Sequence, residues 1–188
     1  MKGEEHMWDT LSYIGQKLNG SNIMWAVGGS ILLNQFGLVD RPNDIDILVD
    51  INDIDRAHEL LKSIGHKMEC ESTATFSTKY FYKYIVNGID VDVMAGFAIN
   101  HSEGVYEYIF DRESIAEFRL INGVNIPFAS LEDWYVLYQL IPNRKSKVEL
   151  IEKHLLSNGI KVPFVLKRAL KGNLPEEVRE KIESMLSS

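Results

Sequence analysis

Met7, Leu11, Ile14 and Leu18 recur at the spacing of one helix face and run into Asn19-Gly20, which predicts an amphipathic helix over residues 4–18. The apolar run from Ile23 to Val27 has the length of a buried strand. Gly28-Gly29 follows, where the backbone turns sharply and a ligand can approach without meeting a Cβ. Ser30 then opens a helix that Gly37 closes. From Asp44 to Val49 carboxylates alternate with apolar residues, the period of a strand. Asn52 or Asp53 is placed to cap a helix through Ile54, Ala57, Leu60, Leu61 and Ile64, which ends at Gly65.

Between His66 and Phe128 the pattern turns to strands. Thr75 to Val86 is rich in Thr, Phe and Tyr, Asn87-Gly88 is a two-residue hairpin turn, and Ile89 to Met94 alternates again until Gly96. Val105–Phe110 and Ala116–Phe128 add further strands, with Asn122-Gly123 as a second turn. After Phe128 the chain reads as helical. Ser130-Leu131-Glu132-Asp133 forms a capping box ahead of Trp134, Leu137, Tyr138 and Ile141, and Pro142 stops that helix. Val148, Ile151, His154 and Leu155 mark the next, closed by Asn158-Gly159, and Pro163 and Pro175 suit the first turns of two more. This order predicts an α/β (α+β) fold: a mixed twisted sheet with flanking helices over residues 1–128, and a helical region over 129–188 that completes the cleft.

With 188 residues, 45% of them hydrophobic, the chain can bury a real core. Its one cysteine, Cys70, excludes an intrachain disulfide and a zinc–cysteine cluster. No signal peptide and no apolar run of membrane-spanning length are evident, which predicts a soluble, cytoplasmic protein with no membrane partner. A net charge of −7 argues against broad gripping of a phosphate backbone.

The chemistry concentrates in residues 25–50. Free N–H groups at the helix start, beside the small hydroxyl of Ser30, favour an anion such as phosphate. Asp44 and Asp46 share one strand face, roughly 6 to 7 Å apart along the chain. Side chains so placed can converge on metal ions about 3.5 to 4 Å apart. Asp92, on a neighbouring strand, adds a third carboxylate, and the three together suit magnesium, which takes oxygen ligands and substrate phosphates. Asp90 shares the face of Asp92 but abuts the hairpin turn, so it is the competing candidate. Lys79 and Lys83 on the preceding strand are placed either to face phosphates and acceptor or to cover an exposed sheet face. His6, His58, His66, His101 and His154 show no metal-ligand spacing. Trp25, Trp134 and Tyr80, Tyr82, Tyr84, Tyr135 and Tyr138 read as core and sheet-face residues.

Gly28-Gly29-Ser30, then Asp44-Ile45-Asp46, then Val91-Asp92-Val93 resembles the signature of the DNA polymerase β-type nucleotidyltransferase superfamily, and over residues 23–142 the chain is most similar to its small bacterial members, the antibiotic and abortive-infection toxin-type nucleotidyltransferases. The resemblance implies transfer of a nucleoside monophosphate from a nucleoside triphosphate, such as ATP, to a hydroxyl, with pyrophosphate leaving. It implies that Gly28, Gly29 and Ser30 contact the triphosphate, that Asp44 and Asp46 bind two Mg2+ ions, and that Asp92 completes the metal site. Small members that share Leu131-Glu132-Asp133 often place a lysine later in the same helix; here Tyr138 and Gln139 stand in that neighbourhood, which leaves Arg144, Lys145 or Lys147 as replacements. The acceptor implied is a small molecule such as an antibiotic, or tRNA or protein as in toxin-type relatives. A relative of the same fold that binds nucleotide or a partner without turnover, in regulation or in a toxin pair, is the alternative. The oligomeric state is not readable from these motifs.

Overall fold

The computed structural model describes residues 2–187, with side chains from Glu5 onward. The outer limits of the two predicted regions, Met1 and Ser188, lie outside the described residues. In chain order the elements are α1 (Lys2–Gly20), β1 (Trp25–Val27), α2 (Gly29–Gln35), β2 (Ile45–Val49), α3 (Ile54–Ile64), β3 (His66–Met68), β4 (Tyr80–Val86), β5 (Ile89–Ala95), β6 (Ala98–His101), β7 (Gly104–Glu107), a 3-10 turn (Arg112–Ser114), β8 (Ile115–Ile121), β9 (Val124–Ala129), α4 (Leu131–Leu140), α5 (Lys145–Asn158), α6 (Pro163–Ala169) and α7 (Glu176–Leu186).

Seven strands form one sheet in the order β3-β4-β5-β2-β1-β9-β8, and β6 pairs with β7 separately. The pairs β2–β5 and β1–β9 are parallel and the others antiparallel, so the sheet is mixed, as the pattern predicts. Leu11, Ile14 and Leu18 of α1 are fully buried. A Cβ on Gly15 would meet Ile126 Cδ1 at 2.3 Å, so α1 lies close against the sheet because that position carries no side chain. Both Asn-Gly turns form as expected: Asn87 and Asn122 sit at φ 51° and 48° and their glycines at 78° and 79°, the left-handed pair that matches strand twist.

Several boundaries differ from the pattern. The strand expected from Thr75 begins only at Tyr80, because Ser77 N–H and Lys79 N–H donate instead to Ala98 O and Gly96 O. Those bonds dock the segment on β6, a strand the pattern does not announce. The short β3 is exposed along its length and carries no alternation to read. Asp53 stands at the N-cap of α3, yet its carboxylate accepts from Met24 N–H and Arg56 and leaves the helix N–H groups alone. The Ser130 box is half formed: Ser130 Oγ accepts from Asp133 N–H at 3.0 Å, but the Asp133 carboxylate turns away to Tyr108 Oη. A reciprocal box forms at Asp111 and Ser114 instead. Pro175 sits just outside α7, one place before its first turn.

Candidate active site

The site grows from the junction of β1 and α2. Gly28 N–H donates to Asp46 O at 3.0 Å, which ties the turn to β2. Gly29 takes φ +57°, and a Cβ there would lie 1.7 Å from Asp46 Oδ2. The Asp46 carboxylate therefore occupies the volume of a missing side chain. A Cβ on Gly28 would strike the Trp134 ring at 2.1 Å, so α4 closes on the same turn from the other side. Among the described residues the buried Trp134 indole N–H has no acceptor, and its ring lies 5.0 Å from that of Tyr138. Ser30 is buried and its Oγ donates to Asp44 Oδ1 at 3.3 Å. The hydroxyl expected at a phosphate thus rests on a carboxylate of the cluster.

Asp46 pairs with Asp92 across the parallel β2–β5 ladder, and Asp44 lies one residue before β2. One carboxylate oxygen from each of Asp44, Asp46 and Asp92 falls within 4.8 Å of the other two. Asp90 is exposed and stays out of this group, so the third carboxylate of the cluster is Asp92.

Three carboxylates this close repel one another. Burial first, then the charges of Asp44 and Asp92, pushes Asp46 up to about 8 against the lowering pull of Lys147 and Arg144. Burial also raises Asp92, with Lys83 opposing it. Lys83 Nζ lies 3.5 Å from Asp92 Oδ1, an ion pair too long for a well-formed hydrogen bond, and among the described residues that buried oxygen has no closer donor. The cluster is a set of hard oxygen donors with too little positive charge around it, which is the environment a divalent cation of the magnesium type suits.

Among the basic candidates on α5, Lys147 is half-buried, with Nζ 3.5 Å from Tyr138 Oη, and both its charge and that of Arg144 reach Asp46. Lys145 is exposed and acts instead on Glu177. Tyr138 is raised by burial and then by Asp46.

Two of these contacts have partial signals in the sequence. A two-residue turn at Asn87-Gly88 sets Lys83 opposite Asp92, so their pairing is readable from the hairpin alone. Trp134 reads as core and is buried, but its contact with Gly28 has no local signal.

Solved structures share this architecture. A candidate nucleotidyltransferase from Thermotoga maritima superposes with a TM-score of 0.60 at 25% identity, covering 79% of this chain and 92% of its own. The antibiotic-resistance factor ANT(2'')-Ia follows at 0.59 and 16%, covering 98% and 91%. The lincomycin-bound lincosamide antibiotic adenylyltransferase LnuA gives 0.51 and 15%, covering 77% and 95%. The comparison with curated proteins returns no match. A family model described as a nucleotidyl transferase of unknown function (DUF2204) matches residues 7–188, and the chain belongs to that nucleotidyl transferase family.

Proposed function

We propose that this chain transfers a nucleoside monophosphate from a nucleoside triphosphate to a hydroxyl of a small-molecule acceptor, with divalent cations held by Asp44, Asp46 and Asp92. The observation that carries this reading is the convergence of the three carboxylates beside the Gly28-Gly29-Ser30 turn. Bound there, such cations lower the pKa of an attacking hydroxyl and offset charge on the leaving pyrophosphate. The absence of side chains at Gly28 and Gly29 lets Trp134 and Asp46 close on the turn and sets it against the carboxylate cluster, and Ser30 Oγ exchanges its bond to Asp44 for one to phosphate. Lys147 of α5 and Arg144 at its N-cap supply positive charge in place of the lysine that similar small enzymes often carry in α4, where Tyr138 and Gln139 stand here. Lys83 holds Asp92 in place from the adjacent strand. The reaction then rests mainly on positioning and charge stabilisation.

A small acceptor is favoured over tRNA by the net charge of −7 and by the likeness to ANT(2'')-Ia and LnuA, an antibiotic-resistance factor and an antibiotic adenylyltransferase. The test is incubation with labelled triphosphates and magnesium against separate pools of aminoglycoside and lincosamide antibiotics, tRNA and protein. Label is expected in the small-molecule pool and absent with Asp46→Asn. Label in the tRNA pool alone would overturn the acceptor. A thermal-shift screen in which no triphosphate stabilises the wild type in a magnesium-dependent way would sink the enzymatic reading and leave the non-catalytic binder.

A further inference from the structure

The main sheet has two edges, and they are built differently. β3 is a three-residue edge whose Lys67 lies over the Tyr82 ring, a short and charged edge of the kind that resists further pairing. β8 is seven residues long and contains neither lysine nor proline. Ile121 and Val124 flank the two-residue turn, so they exchange both backbone bonds, and antiparallel alternation turns the N–H and C=O of Phe118 and Leu120 away from β9, up to the register shift at Ala116. Phe118 and Leu120 are exposed. Among the described residues, no hydrogen bond from elsewhere reaches these backbone groups. Phe118 and Leu120 are 66% and 71% exposed on one face of the strand, while Glu117 and Arg119 share the other and pair at 2.7 Å. A long apolar edge with free backbone groups is a template for another strand.

We propose that a second copy of this chain occupies this edge, its β8 running antiparallel to the first about a two-fold axis through Phe118. Charge selects that register. An axis through Arg119 sets Arg119 against its own copy, and one through Glu117 sets two carboxylates face to face. An axis through Leu120 leaves Glu117 opposite Gly123. Only the axis through Phe118 brings Glu117 opposite Arg119 of the second copy, and two-fold symmetry makes that contact twice. The same register lets Phe118 exchange both backbone bonds with Phe118 of the second copy. It also sets Leu120 opposite Ala116, the small residue at the register shift between Ile115 and Glu117. The two sheets become continuous, with Phe118 and Leu120 of each copy forming one apolar row. This surface is independent of the carboxylate cluster, so the dimer stands or falls apart from the proposed activity.

Analytical ultracentrifugation over a concentration series tests it. The wild type is expected to shift from the 21.5 kDa chain mass to twice that value as concentration rises. Phe118→Lys leaves the intrachain Glu117–Arg119 pair intact and is expected to remain monomeric with an unchanged circular dichroism spectrum. Glu117→Arg and Arg119→Glu each bring like charges together twice and are expected to weaken the dimer about 10-fold, whereas the double exchange restores it to within about 3-fold. A wild type monomeric up to about 1 mM overturns the proposal. So does a dimer that every variant leaves unchanged. Loss with Phe118→Lys but no recovery in the double exchange overturns it too, because the axis then lies elsewhere.

Discussion

Gly29 and Asp46 share one volume. The left-handed φ of +57° and the 1.7 Å approach of a built Cβ to Asp46 Oδ2 make this position intolerant of any side chain. Gly29→Ala is expected to cost about 1–2 kcal/mol of stability for the backbone conformation. Displacement of the carboxylate is expected to cost about 100-fold in nucleotidyl transfer. Denaturant unfolding and turnover on the same sample separate the two losses, and unchanged turnover would remove Asp46 from the chemistry. Asp46 also sets a pH dependence. Its carboxyl is raised from 3.8 to about 8, so the folded chain holds this proton longer than the unfolded chain, and cation-free stability falls as pH climbs through that window. Asp46→Asn removes the fall, so thermal melts of variant and wild type should diverge above pH 4 and most at pH 8. The shared face of Asp44 and Asp46 is legible in residue type and spacing, because a strand's period of two is a local rule. The Trp134 contact with Gly28 is not, because it joins residues far apart in sequence.

At the scale of elements, caps and turns decide where the chain changes direction. Ser130 is buried and its Oγ meets Asp133 N–H, so Ser130→Ala leaves that N–H without an acceptor at the start of α4. A loss of about 1 kcal/mol in urea unfolding is expected, and no loss would mean that packing alone sets the helix start. The Asn-Gly turns and the helix stops at Gly159 and Pro142 are readable because each acts within a few residues. The start of β4 is not. Thr75, Phe76 and Thr78 have strand character, but their segment is held by Ala98 and Gly96, and Phe76 bridges to Ile99. β3 and β6 fail for a related reason: one is exposed and the other four residues long, so neither carries enough alternation to register.

Across the whole molecule, Arg168 of α6 ties distant segments together. It donates to Asp111 Oδ2 and Ser114 Oγ at 2.8 Å each and lies 3.7 Å from the buried Asp133 of α4, which also accepts from Tyr108 Oη. Burial raises Asp133 from 3.8 to about 7 despite the bonds that lower it. Below that pH the folded carboxyl is protonated, and above it the charge is buried and depends on Arg168. Arg168→Met is therefore expected to destabilise by about 3 kcal/mol at pH 8 and by less at pH 5, measured by urea unfolding at both pH values. An equal loss at the two would place the effect in packing. The sequence by itself determined the types of the longer helices and strands, the two hairpin turns, the glycine turn and the carboxylate alternation, since each follows from backbone geometry over a few residues. Only the tertiary structure decided that Asp92 and not Asp90 joins Asp44 and Asp46, because the parallel β2–β5 register joins strands more than forty residues apart. It likewise decided that Lys147 and Arg144 face the cluster while Lys145 does not, and that β8 is left as an open edge. Those outcomes depend on how whole elements pack, and no local pattern carries that information.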